Sequence, residues 1–154
     1  MLYYCKKFQV NLFNNYIMAK TFIKWTNNLS VKIEELDNQH KKLFDIINEL
    51  YGAFMENKHK EITKKILSEL AEYTHTHFSL EEKYFMLYNY PSKEEHIKQH
   101  SEFINSVKDF LIEFERNPDA LTFKLMTFIQ KWINNHIQFT DKLYSDFLLS
   151  KGLN

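Results

Sequence analysis

The amino-acid sequence predicts an all-α protein, an up-and-down antiparallel four-helix bundle preceded by an N-terminal arm. Three observations carry this expectation. The 154 residues include only two Gly and two Pro, where average usage of about 7% and 5% would supply roughly eleven and eight, so turns are few and a sandwich of many short strands is excluded. Apolar residues recur at three-and-four spacing in four separate runs. With 44% hydrophobic and 26% charged residues, the chain has the apolar mass for a core and is not a disordered polymer.

Residues 1–20 are rich in Asn, Lys and Tyr without a sustained apolar period. They read as an extension outside the folded unit, which is expected over residues 21–154. The segment from Trp25 to Leu36 lacks a long period and suits an arm laid across the helices. Asp37 is a good N-cap, and Leu43, Phe44, Ile47, Leu50, Tyr51 and Phe54 then mark one helical face, predicting a first helix over 37–56.

A second stripe of Ile62, Ile66, Leu70, Tyr73 and Phe78 starts from about His59. It must stop near Leu87, because Pro91 disfavours helix in the residue before it. Ser92 and Glu95 form a capping-box pattern ahead of Ile97, Phe103, Ile104, Val107, Leu111 and Phe114, predicting a third helix over 93–116. Asn117 and Pro118 are an N-cap and first-turn pair. The fourth stripe runs through Leu125, Phe128, Ile129, Trp132, Ile133, Leu143 and Phe147 to about Leu149. Four helices of about twenty residues, each roughly 30 Å long with short links, bury these stripes by packing side by side.

Twenty basic and twenty acidic residues give no net charge, so nucleic acid and anionic membrane are not expected partners. No run of eighteen apolar residues predicts a membrane span. A lone Cys5 and the absence of a leader pattern make a reducing cytoplasm the expected compartment.

Five of the seven histidines fall on the predicted core stripes: His40, His77, His96, His100 and His136. Residues four apart on a helix are neighbours, so HFSLE, from His77 to Glu81, and HIKQH, from His96 to His100, each aim two ligating groups at one point. Each unsatisfied buried polar group costs about 1–3 kcal/mol. Something in the core must compensate them, and imidazole pairs suit Fe, Zn, Cu or Ni. His75, about 200° around the helix from His77, is expected to face water. Glu56 to His59 and Glu72 to His75 spell Glu-x-x-His but lie off the stripes.

Trp25, SVKIEELDNQHKKLFDIINEL, HTHFSLEEKYF, HIKQH and WINNHIQFTDKLY stand in order along the chain. Together they resemble the hemerythrin family, and specifically its short bacterial members, over residues 22–149. The resemblance implies a non-haem di-iron site, with His96, His100 and His136 on one iron and His40 and His77 on the other. Glu81, Asp141 and a solvent-derived oxo or hydroxo group would bridge the irons. Asp141 rests on the resemblance alone, because five residues from His136 is 140° around an ideal helix. A π-bulge or an inward reach from the edge of the stripe would accommodate it.

The resemblance further implies one open position on the two-histidine iron and reversible O₂ binding for storage, delivery or sensing. Trp132, Phe44, Phe78, Phe103 and Tyr144 are the candidates to exclude water, and Gln138 is a candidate to approach the open position. Two other functions compete: an enzyme reducing NO or peroxide at the same irons, and a binding module for iron handling or signalling through a protein partner. A structural zinc is disfavoured because seven ligands exceed the four of a tetrahedral site.

Overall fold

Four long helices carry the four apolar runs in a computed structural model. It describes residues 21–153, and for residues 59–60 and 118–120 the backbone alone. The expected extension over residues 1–20 lies outside the described residues. Helix α1 is Glu34–Met55. Helix α2 is continuous from His59–Tyr73 through a π-helical turn, Thr74–Phe78, into Ser79–Tyr88. Helix α3 is Lys93–Arg116, and α4 runs from Pro118–Trp132 through a π-helical segment, Ile133–Thr140, into Asp141–Ser150. Helices α1 and α3 each pack against both α2 and α4. The links are short, and Asn89 ends α2 in the left-handed conformation (φ 53°) that Asn tolerates, just before Pro91.

Two apolar clusters fill the bundle. The larger gathers Leu43, Ile47, Leu67, Leu70, Phe103, Leu125, Ile129 and Ile133 among others. The smaller joins Val31, Ile33 and Leu36 to Phe85, Tyr90, Tyr144 and Leu148. Between them every helix contributes buried polar residues: His40 from α1, His77 and Glu81 from α2, His96 and His100 from α3, and His136 and Asp141 from α4. Both clusters therefore press on one polar layer.

The arm lies across the helices as expected. The backbone N–H groups of Phe22 and Ile23 donate to Asn48 Oδ1 at 2.8 and 3.1 Å, and Asn48 Nδ2 donates to the Ile23 carbonyl at 2.9 Å. Farther along, Ser145 on α4 donates to the Val31 carbonyl at 2.6 Å, and Lys142 donates to the Ser30 carbonyl.

Three expectations are corrected. Helix α1 begins at Glu34 rather than Asp37, and Asp37 caps the arm instead, accepting the Val31 N–H at 2.8 Å and the Ser30 hydroxyl at 2.5 Å. Ser92 sits at the N-cap of α3 but makes no side-chain cap bond, because its backbone (φ −102°, ψ 23°) is outside the extended region a cap requires. Leu143 is 68% exposed. The π-helical segment ahead of it widens the turn, so the inward residues after it are Asp141, Tyr144, Ser145 and Leu148. Asp37→Ala is expected to lower stability by about 2 kcal/mol, since it orphans two donors to a charged acceptor; the urea midpoint measures this.

Candidate metal centre

The polar layer closes into two overlapping groups of potential ligands. His96, His100 and His136 converge with Glu81, and His40 and His77 converge with Glu81 and Asp141, the ligand atoms of each group lying within 4.8 Å of one another. Each carboxylate is divided between the halves. Glu81 Oε1 is 3.4 Å from His77 Nε2, while its Oε2 is 3.0 Å from His100 Nε2 and 3.3 Å from His96 Nε2. Asp141 Oδ2 is 3.1 Å from His40 Nε2, and its Oδ1 is 3.1 Å from His136 Nε2 and 3.5 Å from His96 Nε2.

These separations suit donors that share an ion. Two atoms each about 2.1 Å from one metal at right angles are about 3.0 Å apart. Hydrogen bonding does not account for them. The Nε2 atoms of His40, His96, His100 and His136, Glu81 Oε2 and both Asp141 oxygens are buried without an aligned hydrogen-bond partner. At about 1–3 kcal/mol each, leaving them so would approach the whole net stability of a domain, about 5–15 kcal/mol. A bound cation removes that cost, so the residues fit the metal.

Asp141 reaches this layer through the π-helical segment. Its backbone N–H donates to the His136 carbonyl five residues back, and in a helix so bonded residues five apart share a face. Helix α2 carries the second π turn, which ends at Phe78 beside His77.

The imidazoles are held by a relay around the bundle. Gln39 on α1 bonds His77 Nδ1 on α2, Glu82 on α2 bonds His100 Nδ1 on α3, and Gln99 on α3 bonds His136 Nδ1 on α4, each at 2.9 Å. The Glu82 carboxylate can only accept, so His100 keeps a proton on Nδ1, and a metal would take the inward Nε2 in exchange for its proton. His40 has no such partner, its Nδ1 being buried and unbonded, and it faces the Trp25 ring of the arm at 6.3 Å. The Tyr144 hydroxyl donates to Glu81 Oε1 at 2.5 Å.

Aromatic rings wall the three-histidine half. Phe78 stacks on His100 at 3.9 Å with planes 4° apart, and Trp132 stacks on His136 at 3.8 Å. Phe103 packs against both Phe78 and Trp132. Phe44 is buried edge-on against Trp25 at 5.4 Å. Gln138 does not join them, because on the π-helical segment its side chain falls on the exposed face. His75 and Glu72 are exposed.

The carboxylates set the charge of the layer. Burial opposes ionisation of Glu81, but His77, His100 and His96 outweigh it and hold its carboxyl well below the usual range. Asp141 is likewise lowered against burial, by His136 above all. Burial pushes His77 down to about 3 despite the attraction of Glu81. For His100 burial acts in the same direction, yet the adjacent Glu81 carboxylate and the bond to Glu82 win and raise it to about 9. Without metal, His100 is therefore charged at neutral pH. A metal displaces that proton, so loading at pH 7 is expected to release about one proton per chain, and affinity should rise with pH up to about 9. Metal titration in a weakly buffered indicator solution measures both.

Residues 31–148 match the family model described as "Hemerythrin HHE cation binding domain". The chain belongs to the hemerythrin family. Among curated relatives, the bacteriohemerythrin of Clostridium acetobutylicum is 34% identical over 79% of this chain and 98% of its own length. That of Pseudomonas aeruginosa is 32% identical over 79% of this chain and 78% of its own. A hemerythrin-like protein of Naegleria gruberi is 30% identical over 80% and 92%. The buried histidine and carboxylate layer fits a metal site, in keeping with a family of non-haem iron proteins. No helix among the described residues is long and apolar enough to cross a membrane.

Sequence reading missed Gln39, Glu82 and Gln99. Each is adjacent in sequence to a predicted ligand but bonds a histidine on the next helix, so only the bundle reveals its role.

Proposed function

We propose that this hemerythrin binds O₂ reversibly at a pair of irons, His96, His100 and His136 holding one and His40 and His77 the other, with Glu81 and Asp141 spanning both. The observation that carries this is the division of each carboxylate, with one oxygen toward the two-histidine half and the other toward the three-histidine half. A pair of ferrous ions, when bound, supplies two electrons to O₂ and recovers them on release.

The protein's own part is to keep that exchange reversible. Five neutral imidazoles against two carboxylates give a donor set that stabilises high oxidation states less than carboxylate-rich sites do. Gln39, Glu82 and Gln99 fix three of those imidazoles in orientation, which typically governs metal affinity by 10–100-fold. Tyr144 holds the Glu81 carboxylate in place. Phe78, Phe103 and Trp132 exclude water from the three-histidine half, and Phe44 packs beside the other. The solvent-derived bridge and the open position on the two-histidine iron belong to this reading, with O₂ as the ligand and NO or peroxide as competitors for the same place. A single cysteine fits residence in a reducing cytoplasm.

The test is iron quantification with absorption spectra of protein reduced anaerobically, exposed to O₂ and then returned to vacuum. Two irons per chain and a colour change that reverses are expected. One zinc per chain, or oxidation without an oxygenated form, would overturn the reading. Sustained consumption of NO or peroxide with an electron donor would favour the enzyme instead.

A further inference from the structure

Among the described residues outside the candidate ligands, two side-chain donors are buried without a hydrogen-bond partner: the Trp132 indole N–H and the Tyr73 hydroxyl. Trp132 lies on His136, in the half already supplied with three imidazoles. Tyr73 lies in the other half. It precedes His77 by one turn of α2, and its ring stacks on that imidazole at 4.9 Å with planes 23° apart. Tyr73 also lines a solvent-open groove of about 240 Å³ between α1 and α2, with Ile46 and Thr76. Tyr73 is thus next to both that groove and the two-histidine half. Its hydroxyl is buried: the residue is 4% exposed, burial raises the phenol well above its ordinary range, and the charges of Glu81 and Asp141 add to the rise.

A phenylalanine here would pack equally well and would spare the roughly 1–3 kcal/mol of an unpaired buried hydroxyl. A hydroxyl at this place needs an acceptor that the chain does not supply. A phenol is protonated at neutral pH and can donate. In the iron-pair reading, the half with two imidazoles, His40 and His77, is the one that takes a small ligand. We propose that the Tyr73 hydroxyl is a hydrogen-bond donor to the small ligand held at the two-histidine half, and so a specificity-determining residue that favours ligands with a strong acceptor atom. This rests on the iron-pair reading above.

Azide, a small anion and strong acceptor, is the probe. In the oxidised, iron-loaded full-length chain, Tyr73→Phe is expected to weaken azide binding about tenfold, the loss of one hydrogen bond to a charged acceptor, with iron content unchanged. In the native chain the azide stretching frequency should shift on transfer to D₂O, and in Tyr73→Phe that shift should vanish. A merely structural Tyr73 would move neither. Azide affinity within twofold of native in the iron-loaded variant overturns the role of Tyr73 alone, as does a native azide band indifferent to D₂O. Failure of the native chain to take up iron overturns the iron-pair reading, and this inference with it.

Discussion

Glu81→Gln is expected to cost the centre most of its iron. Glu81 is the residue common to both groups of converging ligands, and its two oxygens face opposite halves. The amide keeps the shape and can still accept the Tyr144 hydroxyl, but it offers one oxygen and no charge where two oxygens and a full charge stood. Its nitrogen would then point a pair of hydrogens at imidazole lone pairs or at a cation. The loss of affinity should exceed about 100-fold, beyond the 10–100-fold typical of groups that only orient ligands. Iron retained after dialysis against a graded chelator reads this directly. Retention equal to the native chain would remove Glu81 from the ligand set.

The second large effect is that of metal on stability. An iron-depleted chain still holds buried, unaligned nitrogens and oxygens in all four helices, whereas a bound cation satisfies them at once. A single ion at a thousand times its dissociation constant adds about 4 kcal/mol. For a domain of this size each kcal/mol moves the midpoint by roughly 2–4 °C. Chelation should therefore lower Tm by roughly 10 °C or more, and anaerobic ferrous iron should restore it, followed by circular dichroism with and without chelator. A midpoint indifferent to iron would mean that the layer is satisfied by something other than a cation.

The four helices were legible because period and punctuation agreed. Leu43, Ile47 and Leu50 keep a strict spacing, and Pro91 and the pair Asn117 and Pro118 mark breaks that the chain uses. The gathering of five histidines was legible for the same reason, since a residue in register with core leucines goes where they go. Register failed where the helix itself changes pitch. Counting at 3.6 residues per turn carries Leu143 inward and Asp141 outward, and the π-helical segment reverses both. Asp37 was misread as a cap because an Asp before an apolar run suits both a helix start and, as here, a loop folded back on the first turn. The Gln39, Glu82 and Gln99 contacts join residues 38, 18 and 37 positions apart, and no local pattern encodes partners at that separation.

The wide turn in α4 also makes the protein tolerant of a lost residue where a regular helix would not be. Deleting one exposed residue within it, such as Gln138, would let the segment relax to ordinary pitch and leave Asp141 four residues from His136 and still on its face, whereas the same loss from a regular helix swings everything beyond it by about 100°. Asp141 and Tyr144 would keep the interior and Leu143 the surface, so a lost codon here would erase the bulge and spare the carboxylate's place.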